Sequence, residues 1–193
     1  VDGKLNEGGW SEAGKIDRLT EFFLQEESHD QTEVYLLYDS VHLYIGAKIY
    51  NGYIEGSLKE RDSEIYKEHC FEFFLDPNNS GTNYYEFEIN ALGTVWDLKL
   101  KSSERKALAN RNNVDEWHLS NMNFAVHVTG TVNDPSDVDE YWSAEIAIPW
   151  DSLQEKMPQK GSSWRANFMR VDQGESENKL YAWCPTGTKS IHV

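Results

Sequence analysis

The sequence predicts an all-β fold, an antiparallel two-sheet β-sandwich of immunoglobulin-like or jelly-roll type with one or two short helices. Three observations predict it. Apolar residues recur with a period of two rather than 3.6 along most of the chain. The apolar set is rich in aromatics, with 7 Trp, 10 Tyr and 8 Phe in 193 residues, and such side chains suit a pleated, half-buried surface. Clusters of turn formers separate the runs at short intervals, as in sandwiches and barrels.

The runs follow in order. Residues 34–38 and 42–50 flank Asp39-Ser40, which reads as a hairpin turn. Residues 70–75 make a third strand, stopped by the turn formers of 76–81. Residues 84–90 alternate strictly: Tyr85, Phe87 and Ile89 share one face, and Glu86, Glu88 and Asn90 the other. After a break at Gly93, residues 94–100 alternate again. Later strands are read at 123–129, 142–148, 164–171 and 180–183. Helical signals are confined to 102–110 and to one turn at 151–155, after Pro149. Residues 131–140 form an acidic loop. With no internal repeat or composition break, residues 1–193 read as a single domain, long enough to bury a sizeable core.

Charge narrows the function. The formal charge is −15, with 33 acidic against 18 basic residues and no basic run, which argues against nucleic acid and anionic membrane surfaces. No apolar stretch reaches the roughly 20 residues that span a bilayer. The two cysteines, Cys70 and Cys184, show no metal-ligand spacing. Cys70 sits in a dense apolar run, which suits a buried free thiol, and a long-range disulfide stays open. The chain begins abruptly at Val1 and reads as a mature or trimmed piece, so secretion stays open too.

The chain carries no nucleophile elbow, zinc-protease helix, phosphate loop or dinucleotide fingerprint. Glu72, Glu86, Glu88 and Glu145 could supply a glycosidase pair, but solvated strand faces are the plainer expectation for them. The six histidines are scattered, which disfavours zinc. Haem held by a His and one of Met122, Met157 and Met169 stays open, with core packing the plainer role for the methionines. Residues 76–81 and 133–139 offer hard oxygen ligands for Ca²⁺ at no EF-hand spacing, and turn formation alone accounts for both. Asn78-Asn79-Ser80 is a glycosylation sequon on a surface turn.

One constellation remains. A sugar ring presents an apolar C–H face and a hydroxyl equator, so it calls for an exposed aromatic ring with planar polar partners. Tyr66 precedes a strand, where it projects from a rim or sits as a half-buried edge aromatic. Glu72, Glu88, Asn90 and Arg170 offer polar groups on neighbouring strands, and an ion pair with one of these acids is the bland role for Arg170.

These residues resemble a known family, the family 9 carbohydrate-binding modules. Asp2-Gly-Lys-Leu-Asn-Glu-Gly-Gly-Trp10 is similar to its N-terminal signature, and residues 34–46 to its first hairpin. Phe71-Glu-Phe-Phe-Leu-Asp-Pro77, Tyr84-Tyr-Glu-Phe-Glu-Ile-Asn90, Trp142-Ser-Ala-Glu-Ile-Ala-Ile-Pro-Trp150 and residues 164–170 fit its later strands in order and spacing. The resemblance runs from Asp2 to about Pro185. It implies a β-sandwich holding a glycan end between two tryptophans over polar residues, with bound structural Ca²⁺ and no catalysis. Tyr66 falls where the first tryptophan stands, and Glu72 on the hydrogen-bonding glutamate. Asn90 matches an asparagine, Glu88 replaces an arginine, and either Arg170 or Met169 lies at a glutamine. The second tryptophan would lie near Ile191 or His192, where none stands. The family's last C-terminal strand is not found before Val193.

The expected function is non-catalytic binding of a neutral plant-type polysaccharide such as xylan. The partner is the glycan, together with a linked or associated glycoside hydrolase. The expected location is secreted, periplasmic or cell-surface. Alternatives are a haem-binding electron-transfer domain, or a glycoside hydrolase using Glu72 and a second carboxylate. Structural Ca²⁺ is the only cofactor implied.

Overall fold

The period-two runs become strands in the computed structural model, which describes residues 1–22, 31–102, 114–115, 117–119, 121–153, 158–173, 178–187 and 191–192. In chain order these are β1 (Gly14–Ile16), β2 (Thr20–Glu21), β3 (Thr32–Tyr38), β4 (His42–Tyr50), β5 (Cys70–Asp76) and β6 (Tyr84–Asn90). They continue as β7 (Val95–Leu100), β8 (Val114–Asp115), β9 (Asn123–Thr129), β10 (Tyr141–Pro149), β11 (Arg165–Asp172) and β12 (Lys179–Ala182). Two antiparallel sheets result, one of order β1-β3-β4-β10-β9 and the other of order β2-β12-β11-β5-β6-β7-β8. The fold is thus the all-β two-sheet sandwich that the alternation implied. Helical structure among the described residues is limited to 3-10 turns at Gly8–Glu12, Ile65–Lys67 and Trp150–Leu153. The last falls where a turn was expected after Pro149. The helix expected at 102–110 lies almost wholly outside the described residues.

Local chemistry sets the connections. The Asp39 carboxylate accepts the N–H groups of Val41 and His42, both at 2.7 Å, and closes the β3–β4 hairpin. Asp76 does the same for the β5–β6 turn, accepting from Asn78 and Gly81. In the acidic loop Asp139 accepts from Ile54 and Thr131, both at 2.6 Å. Asn133 exchanges two hydrogen bonds with Gly56.

Between the sheets, Phe71, Phe73, Tyr85, Phe87, Ile89 and Phe168 pack against Val34, Ile45, Ile49, Trp142, Ile146 and Ile148. Phe73 and Phe87, directly opposite in register, stack at 4.7 Å and 18°. Each such ring taken out of water contributes about 1.5–3 kcal/mol. The aromatic residues on the core faces of β5, β6 and β11 are therefore structural rather than available to a ligand.

The outer face of the five-stranded sheet is also covered. Glu145 Oε2 accepts the backbone N–H groups of Asp2 (2.6 Å) and Gly3 (3.0 Å), while Oε1 accepts Trp10 Nε1–H at 3.3 Å. Gly3 has φ +86°, and a Cβ there would lie 2.7 Å from the Val126 carbonyl carbon. Only glycine lets the N-terminal segment approach this closely. Glu145 is consequently 4% exposed, so the solvated face expected for it does not occur. Both cysteines are free, Cys70 buried and Cys184 exposed. Among the described residues no helix is long and apolar enough to cross a membrane.

Candidate functional site

Strands β5 and β6 are buried on both faces. Their polar alternates, Glu72, Glu86 and Glu88, are 0%, 4% and 2% exposed, against the expectation of solvated faces. The sequence alternation assigns these side chains to one side but does not say what covers it. The cover comes from the Ile65–Lys67 turn, from Asn178 and Leu180, and from Ile191 and His192 near the C-terminus. Beneath this cover lies a cavity of about 540 Å³.

The floor follows the strand register. Met169, Glu72, Glu88 and Trp96 form one row across β11, β5, β6 and β7, of which Glu72, Glu88 and Trp96 line the cavity. Asn167, Phe74, Glu86 and Leu98 form the next, of which Glu86 and Leu98 line it. Tyr66 stacks on Trp96 at 5.4 Å and 25°, and the two make an aromatic wall. The Tyr66 hydroxyl donates to Glu64 Oε1 at 3.1 Å, its carbonyl accepts from Asn178, and its backbone N–H donates to the Glu88 carboxylate. Tyr66 is thus held by its neighbours in a half-buried position.

The electrostatics are unusual. Burial pushes Glu72 up to about 7. Burial first, and the charge of Glu72 second, raises Glu86 and Glu88 well above the ordinary carboxylate range. The Cys70 thiol, 3.5 Å from Glu72 Oε1, is raised by burial and by these carboxylates, so it remains a thiol. Glu72 Oε2 and Glu88 Oε2 have no hydrogen-bond partner among the described residues. Both oxygens are thus buried polar atoms whose hydrogen-bonding capacity the described residues leave unused.

Of the site residues expected from sequence, Tyr66, Glu72 and Glu88 meet at this cavity. Asn90 does not line it. Its Nδ2 donates to Leu58 O and Glu68 Oε1, and its Oδ1 accepts from Leu92 and Thr94, which exhausts its hydrogen-bonding capacity. Arg170 lies on the opposite face, between the sheets, where it donates to Asp172 Oδ1 (2.6 Å) and Tyr50 O (2.8 Å). Its ion pair is with Asp172 rather than with Glu72 or Glu88. Phe168 faces the core, and parity alone puts Arg170 on the same side and Met169 on the cavity side. Trp96 is the cavity residue that strand parity could have found, since Val95 facing the core implies Trp96 facing out. Trp183, 49% exposed, rims a neighbouring cavity of about 550 Å³ that shares Ile191 and His192 with the first.

The other chemical expectations are placed as follows. The Met–His pair that haem requires is not aligned, since neither Met122 nor Met169 lines either of these two cavities, and Met157 is outside the described residues. In the two loops considered for Ca²⁺, the Asp76 and Asp139 carboxylates are committed to backbone N–H groups, a poor fit to an ion needing several free oxygens.

The site is thus a concave cavity with an aromatic wall and carboxyl groups on its floor, set on one sheet of a sandwich, the form that small-molecule sites commonly take. The profile of Carbohydrate-binding family 9 matches residues 21–191, and the chain belongs to that family. A search of curated protein sequences finds no match. Among solved structures, a carbohydrate-binding protein candidate from Bacteroides uniformis superposes with a TM-score of 0.73 at 13% identity, covering 98% of this chain and 86% of that one. A family 9 carbohydrate-binding module from Caldicellulosiruptor kristjanssonii, solved with cellotriose, gives 0.62 at 16% identity, covering 97% and 80%. The same module with glucose gives 0.61 at 15%, covering 97% and 82%. At these identities the likeness is one of fold.

Proposed function

We propose that the chain is a non-catalytic carbohydrate-binding module that holds a glycan in the outer-face cavity of its seven-stranded sheet. The observation that carries this reading is the Tyr66–Trp96 pair lining one cavity with Glu72 and Glu88, each of which keeps a buried carboxyl oxygen without a partner among the described residues. The aromatic wall takes the C–H face of a pyranose, and the carboxyl groups take its hydroxyls. Asn90 and Arg170 hold the frame rather than the ligand: Asn90 secures the segment that leads to Tyr66, and Arg170 ties the sheets together. Polyanionic glycans are rejected by the acidic floor, which leaves neutral plant-type polysaccharides such as xylan as the ordinary ligands. The module serves glycan degradation beside a glycoside hydrolase, in a secreted, periplasmic or cell-surface setting, where tethering makes up for weak individual binding.

The arrangement supports binding over hydrolysis. Glu72 and Glu88 rise side by side from adjacent strands, so both approach a ligand from the same side, whereas a glycosidase pair flanks the scissile bond. The test is titration calorimetry against cellotriose, xylotriose and a wider panel of plant and bacterial glycans. Binding to at least one is expected. Tyr66→Ala and Glu72→Ala should each weaken it by roughly tenfold or more with the circular dichroism spectrum unchanged. No affinity across the panel, or turnover of a chromogenic glycoside lost in Glu72→Gln, would overturn the reading.

A further inference from the structure

The outer-face cavity gathers carboxyl groups with no cationic side chain of the described residues among its lining. Glu72, Glu86 and Glu88 line it together. Ligand atoms of Cys70, Glu72 and Glu88 lie within 4.8 Å of one another, and Glu72 Oε2 and Glu88 Oε2 are buried without a partner among the described residues. The groups packed around them do not neutralise them. From the covering turn, Lys67 is directed onto Glu64, with its Nζ 5.6 Å from the centre of the Tyr66 ring. Glu68 is engaged by Asn90 and Ser57, and the Cys70 thiol by Glu72. Tyr84 pairs with His192 Nδ1 at 3.0 Å, and burial lowers His192 to about 4, so its ring is neutral at pH 7. No Lys or Arg among the described residues lines the cavity.

Carboxyl groups crowded in this way ionise together only when a positive charge joins them. The cavity is also shaped for more than a bare ion. Its volume of about 540 Å³ suits an organic ligand, and the faces of Tyr66 and Trp96 attract both a C–H surface and a cation. A metal ion would engage the carboxylates and leave the aromatic wall unused, whereas a cationic sugar engages both. We infer that the site prefers a glycan carrying a free ammonium group, an amino sugar, over a neutral glycan of the same shape. The inference rests on the carbohydrate-binding reading and adds the ligand class. The ammonium donates charge-assisted hydrogen bonds to the Glu72 and Glu88 carboxylates, and the carboxyl groups release protons to the solvent as it binds.

The test is titration calorimetry of the intact chain near pH ~6.5, where an amine of about α-amino basicity stays charged. The ligands are the trisaccharides of glucosamine, of N-acetylglucosamine and of glucose (cellotriose). The glucosamine trisaccharide should bind at least about tenfold more tightly than either of the others, and its heat should vary with the ionisation enthalpy of the buffer. Equal or tighter binding of cellotriose or the acetylated trimer overturns the inference and leaves the carbohydrate-binding reading standing. Failure of all three to bind overturns the inference, and the wider glycan panel then decides the reading itself. Glu88→Gln keeps the shape and removes one charge, so the preference ratio should fall to about threefold or less. Retention of the full ratio in that variant would also overturn the inference. The buffer dependence of the unmodified chain supplies the same answer if the variant does not fold.

Discussion

Glu72 stands under two opposed demands. Folding favours its neutral form, since burial takes its pKa from 4.5 to about 7. Between those values an unfolded chain releases the proton and the folded chain keeps it, so the folded state loses ground as pH rises through the window. Below about pH 4.5 both states are protonated and the effect is absent. Glu72→Gln removes the titration, and the variant should therefore gain on the wild type from pH 4.5 to 7 and level off above. At 1.36 kcal/mol per pKa unit the gain is roughly 3 kcal/mol. Urea denaturation at several pH values measures it, and parallel stability curves for the two proteins would contradict a buried, proton-retaining Glu72. His192 acts with the opposite sign: its pKa falls from 6.5 to about 4, so it costs stability on acidification through that range. A comparison of variant with wild type isolates the glutamate from this background. The site thus holds carboxyl groups whose burial opposes folding as pH rises.

At the scale of elements, legibility followed pattern length. Strand β6 could be read because Tyr85, Phe87 and Ile89 alternate with Glu86, Glu88 and Asn90 over seven residues. Strands β1, β2 and β8 could not, because they are two or three residues long and exist through their partners, as in the pairing of Gly14 with Leu36. The same limit hid the cavity. Alternation placed Glu72 and Glu88 on a shared face, but the elements that roof it, the Ile65–Lys67 turn and Ile191–His192, are distant from it in the chain or short. Arg170 is the instructive exception, because its parity with Phe168 was legible and its residue type drew attention instead. The N-terminal signature also gains a physical meaning here. Asp2, Gly3 and Trp10 exist as a unit because Glu145 accepts hydrogen bonds from all three. Glu145→Ala should therefore strand the Asp2 and Gly3 N–H groups, while Trp10 Nε1 keeps Glu7 Oε2 as an acceptor, and destabilise the domain by about 2 kcal/mol, read as a lower urea midpoint with an unchanged slope. A change below about 0.5 kcal/mol would show that the N-terminal segment is held by its apolar contacts alone.

For the whole molecule, the charge of −15 sets which ligands can approach. A polyuronate meets repulsion at long range and an acidic floor at short range, so it should show no binding even at low salt. A neutral glycan meets neither, and its affinity should change by less than about twofold between dilute buffer and roughly 0.5 M salt. Calorimetry across that salt range separates the two cases, and a steep salt dependence for a neutral glycan would argue against the cavity as its site. Strands β5 and β6 carry a last consequence. Each presents the folding core on one parity and the ligand floor on the other. Substitutions on the cavity parity therefore alter that surface while leaving the buried rings of the sandwich in place. On a scaffold of this kind the cavity can change without the shape changing, and the likeness of fold here holds at 13–16% identity with TM-scores of 0.61–0.73.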